Sequence, residues 1–287
     1  MKLIVSGVGI FSSILSHSLR SIVAYFLSAL MIAIDKNRYA HTKENIANAF
    51  PSLSEEKIQE IAQKSYHSLA LTFLEIAAMP YWSVQKICSK ISFENIELIN
   101  QIHERNKGII LLSGHFGNWE LLAFTAGILS SVPMTIVVKK QRVSAIADML
   151  EKLRTRVNNT VVDADNAAKE IVRDILRNRP VAFLVDQAGD PHKDIFVDFM
   201  GRPAVTHEAP AQLALRLAAP IIIGFACRKP DGIYAVRLEE IPFDDLSNTA
   251  EGRKELTKRH VAALENIIRR YPEQWAWQHK RWKYEAP

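Results

Sequence analysis

The run Gly108–Glu120, GIILLSGHFGNWE, decides the fold. Ile109 to Leu112 form an apolar stretch without polar alternation, the pattern of a short strand buried on both faces. Gly114 and Gly117 then permit a sharp bend, and Asn118 suits the N-cap of a helix that continues as WELLAFTAGILSS (119–131). A strand running through a tight loop into a helix is the unit that α/β folds repeat, and their ligands gather at the carboxyl ends of such strands.

The alternation continues downstream. MTIVVKK (134–140), TVVDA (160–164) and VAFLVDQ (181–187) read as strands. AIADMLEKLRTRV (145–157) and NAAKEIVRDILRN (166–178) read as helices, the second with Asn166 as its N-cap. APAQLALRLAA is a further helix, PIIIGFACRK and IYAVRLEEI are strands, and residues 252–271 close the pattern as an amphipathic helix through Leu256, Leu264, Ile267 and Ile268. The expectation is an α/β protein with a mostly parallel central sheet flanked by helices. Upstream, residues 82–107 read as shorter helical pieces, and 40–50 as a short helix stopped by Pro51. Ser52 and Glu55 form an S-x-x-E capping box that opens a long helix through Ile58, Ile61, Ala62, Leu69 and Phe73.

Between Leu3 and Ile34 the only formally charged side chain is Arg20. It divides two apolar stretches of 14 residues, each shorter than the roughly 20 that a bilayer-spanning helix needs. A secretory signal fits poorly, since no A-x-A-like site closes the run. The remaining readings are a single anchor with Arg20 near one interface, an interfacial helical pair, or a buried core helix. Lys36 and Arg38 just beyond favour a body on the cytoplasmic side. The expected division is a membrane segment over 1–35 and one α/β domain over 36–287.

Composition narrows the class. With 48% hydrophobic and 23% charged residues in 287, the chain is not disordered, and 11 Gly with 12 Pro exclude collagen-like repeats. A net charge of +5 permits nucleic acid, anionic lipid or an acidic partner and selects none. Cys88 and Cys227 are too far apart for a C-x2-C knuckle and do not suggest a disulfide scaffold. No G-x-S-x-G, H-E-x-x-H, G-x-G-x-x-G or P-loop motif occurs, so Ser hydrolase, zincin and nucleotide chemistry are unsupported. Asp163-Ala-Asp165 matches the D-x-D of metal-dependent glycosyltransferases, but it sits where turn-capping aspartates are ordinary.

Chemistry concentrates in SGHFGNWE. His115 and Glu120 are five positions apart, which on one helix would separate them by about 140°. They meet only if His115 lies in the loop and Glu120 in the first helical turn. That arrangement gives a histidine base oriented by a carboxylate, beside free backbone N–H groups able to hold an oxyanion. The competing reading is a structural His–Glu pair. If the pair is catalytic, His115→Ala and Glu120→Ala each abolish most activity while unfolding barely changes.

These residues carry a resemblance. HFGNWE is similar to the H-x4-E/D motif of the bacterial lipid A late acyltransferases, the lauroyl/myristoyl acyltransferase family. FPSLSEEKIQEIAQKSYHSLALTFLE, VAFLVDQ, IFVDFMGRPAVTHEAPAQLALRLAAPIIIGFACR and YPEQWAWQHKRWK resemble further blocks of that family, so nearly the whole chain is covered. The resemblance implies a glycerol-phosphate acyltransferase-like fold. It also implies transfer of a fatty acyl group from an acyl-carrier-protein thioester to a hydroxyl of a membrane glycolipid, a lipid A precursor, at the inner membrane with the catalytic domain facing the cytoplasm; the alternatives are an acyltransferase of another glycolipid or a glycerophospholipid, or a non-enzymatic membrane-bound basic scaffold that binds lipid. No cofactor, metal or nucleic acid is expected. By resemblance His115 is the general base and Glu120 orients its imidazole; no covalent intermediate is needed. Substrate-binding roles fall to Asn118, to Arg154 or Arg156, which spacing does not separate, and to Asp186 at the end of a strand. The segment KKQRVSA, with Lys139, Lys140 and Arg142, departs from the family's Arg-Pro-x-x-Asn-like pattern. The tail sets Trp275, Trp277 and Trp282 among Lys280, Arg281 and Lys283, which suits a membrane interface, a stacking surface for single-stranded nucleic acid, or a core buried under the last helix.

Overall fold

The computed structural model describes residues 2–139 and 143–286. Lys140 and Arg142, two of the cations singled out in the sequence, lie outside the described residues.

Four helices open the chain: α1 (Lys2–Ile14), α2 (His17–Ile34), α3 (Lys36–Ala49) and α4 (Glu55–Ala78). After α5 (Val84–Cys88), β1 (Ile91–Phe93) and α6 (Glu97–His103), the alternation runs β2 (Ile110–Ser113), α7 (Trp119–Leu129), β3 (Thr135–Val138), α8 (Ser144–Thr155), β4 (Thr160–Asp163), α9 (Ala168–Leu176), β5 (Val181–Leu184). A hairpin of β6 (Ile195–Phe199) and β7 (Arg202–Thr206) precedes α10 (Ala209–Leu217) and β8 (Ile221–Gly224). The chain ends through β9 (Cys227–Arg228), β10 (Tyr234–Val236), β11 (Leu238–Ile241) and α11 (Ala250–Arg270).

The main sheet has the order β11-β8-β2-β5-β3-β4 and is parallel except for the edge strand β11. The expected mixed α/β class and largely parallel sheet are therefore present. The central strands are the apolar runs, with Ile110, Val181 and Ile221 fully buried, because helices cover both faces. The sequence did not signal the β6–β7 hairpin or β1.

Two helix starts differ from expectation. Ser54, not Ser52, caps α4, accepting the Lys57 N–H, and α9 begins at Ala168 with no side-chain cap from Asn166. Cys88 and Cys227 are both free.

The N-terminal run breaks at Ser16, whose hydroxyl accepts the Leu19 N–H and starts α2. Among the described residues one helix, α2, is long and apolar enough to cross a membrane. Both α1 and α2 pack against α4, with their polarity inverted relative to a water-facing helix. Gly9, Ser12, Arg20, Ala24 and Ser28 face inward, while Leu3, Phe26 and Ile34 are 88%, 66% and 76% exposed. The buried-core reading of this segment is thereby corrected: its small and polar residues form the seam and its large apolar ones face out. A Cβ on Gly9 would come within 2.4 Å of the Ala77 carbonyl, so α1 lies nearly backbone to backbone on α4. Arg20 closes the seam, donating to the Ser12 and Leu15 carbonyls at 2.8 and 2.9 Å, with its guanidinium 5.0 Å from the Trp82 ring centroid.

Candidate active site

β2 and β5 are parallel neighbours in a register that sets Ser113 opposite Leu184. Two residues further along each strand stand His115 and Asp186, so strand pairing alone brings the two side chains together. The Asp186 carboxylate takes the imidazole Nδ1–H at 2.9 Å through Oδ1 and the His115 backbone N–H at 2.8 Å through Oδ2. Trp275 donates its indole N–H to the same Oδ2 at 2.9 Å. A Cβ at Gly114 would come within 3.1 Å of Asp186, so the bend lets the two loops close on each other. At Gly117 the backbone is left-handed, φ 54°, and a Cβ would strike the Ala226 carbonyl at 1.8 Å.

The electrostatics follow from this contact. Asp186 is nearly inaccessible, with 3% of its side chain exposed. Burial alone would raise its carboxyl, but His115, in contact with it, and the N–H donors hold it at about 2. Burial lowers the His115 imidazole, yet the Asp186 charge and hydrogen bond, with Glu120 adding at longer range, leave it raised above 6.5. Because Nδ1–H points at Asp186, Nε2 is the nitrogen that the carboxylate leaves free; the Gln187 amide lies 3.5 Å from it, and 24% of the side chain remains open. Trp119 packs edge-on against the ring at a centroid distance of 4.9 Å.

The expected His115–Glu120 contact does not form. Glu120 does lie in the first turn of α7, but its carboxylate takes a bidentate pair from Arg154 of α8, Nε at 2.9 Å and Nη2 at 2.5 Å. The geometric reason is the N-cap. Asn118 accepts the Leu121 N–H at 3.0 Å, which fixes the first turn of α7 and swings Glu120 toward α8. Arg154 is thus separated from Arg156, which instead donates to the Trp82 carbonyl at 2.9 Å. Asn118 itself is 1% exposed, and its amide donates to Glu75 at 3.1 Å; it lines a small cavity with Glu75, Arg20 and Tyr234. Three of the loop's backbone N–H groups are engaged within the protein: those of His115, Phe116 and Gly117 bind Asp186, Gly114 and Gln274. Lys139 is exposed on the segment after β3. Asp163 caps its own turn, accepting the Asp165 N–H at 3.2 Å, at the sheet edge three strands from β2.

Sequence reasoning missed the layer behind the loop. From α4, Thr72 donates to the Gly117 carbonyl at 2.8 Å, and Glu75 gathers Asn118, Arg228 and the Tyr234 hydroxyl. From the tail, Ala276 donates to the His115 carbonyl at 3.0 Å, and Phe116 and Trp275 form an isolated β-bridge. Trp275, Trp277 and Arg281 are 2%, 0% and 1% exposed, so the tail is core and not an interfacial belt. The only advance signal was the density of aromatic residues in that segment.

The family model described as bacterial lipid A biosynthesis acyltransferase matches residues 2–284. The chain is 25% identical over 264 residues to the lipid A biosynthesis lauroyltransferase of Escherichia coli (strain K12), covering 90% of this chain and 83% of that protein. It is 21% identical over 248 residues to the lipid A biosynthesis palmitoleoyltransferase of the same organism and to a lipid A biosynthesis acyltransferase of Shigella flexneri, covering 86% of this chain and 79% of each relative. The match of that family model from residue 2 to residue 284 makes this chain a member of the bacterial lipid A biosynthesis acyltransferase family, and so an acyltransferase.

Proposed function

We propose that the protein moves a fatty acyl chain from an acyl-carrier-protein thioester to a hydroxyl of a lipid A precursor, with His115 as general base. The observation that carries this reading is the imidazole fixed through Nδ1 by Asp186, which leaves Nε2 as the nitrogen free of the carboxylate on a side chain that is 24% exposed. In the reaction Nε2 takes the proton of the acceptor hydroxyl as its oxygen attacks the thioester carbon. The ester C–O bond forms, the C–S bond breaks, and the imidazolium returns the proton to the departing thiolate. Asp186 stabilises the transient imidazolium and keeps the productive tautomer. Arg154 spends Nε and Nη2 on Glu120, which leaves Nη1 to meet the thioester oxyanion. Glu120 therefore positions the arginine, and Asp186 takes over the orienting role that resemblance assigned to Glu120. Asn118, which caps α7, and Arg156, which donates to the Trp82 carbonyl, are assigned here to the framework of the site.

The outward apolar surface of α1 and α2 supports residence at a lipid surface, which fits an acceptor embedded in a bilayer. We place the protein at the inner membrane with the α/β body on the cytoplasmic side, following Lys36 and Arg38 beyond α2. The test is direct. Purified protein is incubated with acyl carrier protein charged with one defined chain and with a lipid A precursor, and the glycolipid is weighed by mass spectrometry. A gain of one acyl mass, absent with His115→Ala, is expected. An unchanged acceptor mass with every carrier-bound chain overturns the reading.

A further inference from the structure

The inner face of α4 carries a buried polar stripe under the catalytic loop. Ser68, Thr72 and Glu75 stand at i, i+4 and i+7, so they share one face of the helix, and they are 7%, 1% and 5% exposed. Arg228 lies across this stripe. It donates to the Ser68 hydroxyl at 2.9 Å, to the Thr72 hydroxyl at 2.6 Å and to Glu75 at 3.3 Å. One carboxylate oxygen, Oε2 of Glu75, accepts from Arg228, from the Asn118 amide at 3.1 Å and from the Tyr234 hydroxyl. The cavity beside Glu75, Asn118 and Arg20 measures about 10 Å³, room for one water, so Glu75 meets no substrate there. Whatever Glu75 does for the reaction passes through the residues it holds.

The polarity of these groups decides how the loop sits. A guanidinium only donates, so the Thr72 hydroxyl that accepts from Arg228 turns its own proton to the Gly117 carbonyl, at 2.8 Å. A carboxylate only accepts, so Glu75 draws the Nδ2 end of the Asn118 amide and leaves Oδ1 for the Leu121 N–H at 3.0 Å, the bond that starts α7. An Asn118 amide turned the other way would present its NH2 to a helix end made of N–H donors, and the cap would be lost. Two residues after Asn118, Glu120 holds Arg154, and both charges are felt at His115. The His115–Asp186 pair has separate supports, the β2–β5 register and the Trp275 indole. The two halves of the site are therefore held by different parts of the fold.

We infer that Glu75 is a positioning residue for acyl transfer: by orienting the Asn118 amide it fixes the start of α7, and with it the place of Glu120 and Arg154 beside His115. The inference rests on the transfer reaction proposed above and adds what holds its arginine in register. Glu75→Ala would strand the buried guanidinium of Arg228 and unfold the protein for that reason alone. The test therefore uses Glu75→Gln, whose Oε1 still accepts from Arg228 and Tyr234 while its amide faces Asn118 as a second donor. The first readout is amide hydrogen exchange on the full chain, which does not depend on transfer. Exchange at Leu121 and across 117–122 quickens about tenfold, while β2, β5 and α4 keep native rates. In the transfer assay kcat falls about a hundredfold, with both KM values and the acid side of the pH profile in place. Adding Asn118→Asp supplies an acceptor for the new amide and a capping carboxylate for Leu121, and it restores slow exchange and most of kcat. Native exchange at Leu121 in Glu75→Gln overturns the inference, as does an undiminished kcat. Faster exchange throughout α4 and the sheet, with no recovery on adding Asn118→Asp, would make Glu75 an ordinary core group and overturn it as well. If the native protein transfers no acyl chain, the proposed function falls, and the exchange pattern still decides whether Glu75 orients Asn118.

Discussion

Residues 2–34 and residues 272–283 look alike in sequence, each combining large apolar side chains with arginine or lysine, yet the fold uses them in opposite senses. The N-terminal pair turns Leu3, Phe26 and Ile34 outward and hides Ser12, Arg20 and Ser28. The C-terminal segment hides Trp275, Trp277 and Arg281 and leaves Lys280 and Lys283 outside. What separates them is the surface each meets. The seam on α4 is lined by Ala70, Leu71 and Leu74, and it accepts helices that present small residues, so the large ones are left over. The tail meets the open end of the sheet, where Phe116, Phe199 and Phe225 offer a deep apolar bed. Composition therefore identified two candidate membrane segments, and packing retained one.

The comparison predicts that the tail end of the molecule governs chemistry and stability, whereas the N-terminal pair governs where the protein resides. The largest effect belongs to His115→Ala, which should lower acyl transfer by about 10²–10⁴ while thermal unfolding hardly moves, since the side chain is partly open. A drop in melting temperature as large as a core deletion would make His115 structural. Glu120→Ala behaves differently from the sequence expectation. It strands Arg154 in a site where the two side chains are 4% and 13% exposed, so stability falls by about 3–5 kcal/mol in denaturant titrations alongside activity. Unchanged stability would show that the pair is dispensable to the fold.

Asp186→Asn sharpens the link between tail and loop through pH. In the native protein the imidazole is raised, and the neutral form is the base, so kcat/KM climbs as pH rises through a value above 6.5. Without the carboxylate, burial dominates and the imidazole falls, so the acid limb of the profile moves to lower pH even as the maximal rate drops. A limb that stays in place would detach Asp186 from His115. The native ion pair has its own pH window. The raised imidazole contributes stability below about 6.5 that is lost as pH rises through its folded value, and the depressed carboxyl contributes above about 4 and loses it as pH falls through about 2.

Trp275→Phe removes one donor from buried Asp186 and keeps most of the ring, so about 1–3 kcal/mol is lost and the acid limb shifts slightly. The smallest effect on folding is expected from Ile22→Ser/Phe26→Ser/Leu30→Ser on the outer face of α2. Each change should alter stability by no more than about 0.5 kcal/mol, while sedimentation with anionic vesicles declines sharply. Strong destabilisation with undiminished vesicle binding would mean that this face is packed against protein.

The sequence by itself determined the repeating strand–helix alternation, the bend at Gly114 and Gly117, the N-cap at Asn118 and the choice of His115. These depend on local spacing, on backbone freedom at glycine and on the apolar runs of strands buried between helices. Only the tertiary structure decided which carboxylate reaches the imidazole. Glu120 is five positions from His115 and faces away, while Asp186 is 71 positions distant and in contact, because parallel pairing of β2 with β5 puts their ends side by side. The pairing of Arg154, and not Arg156, with Glu120, the burial of the tail and the outward turn of α2 arose in the same way. Each depends on what a residue meets across the fold, and a local pattern carries no record of strand order or of the partner surface.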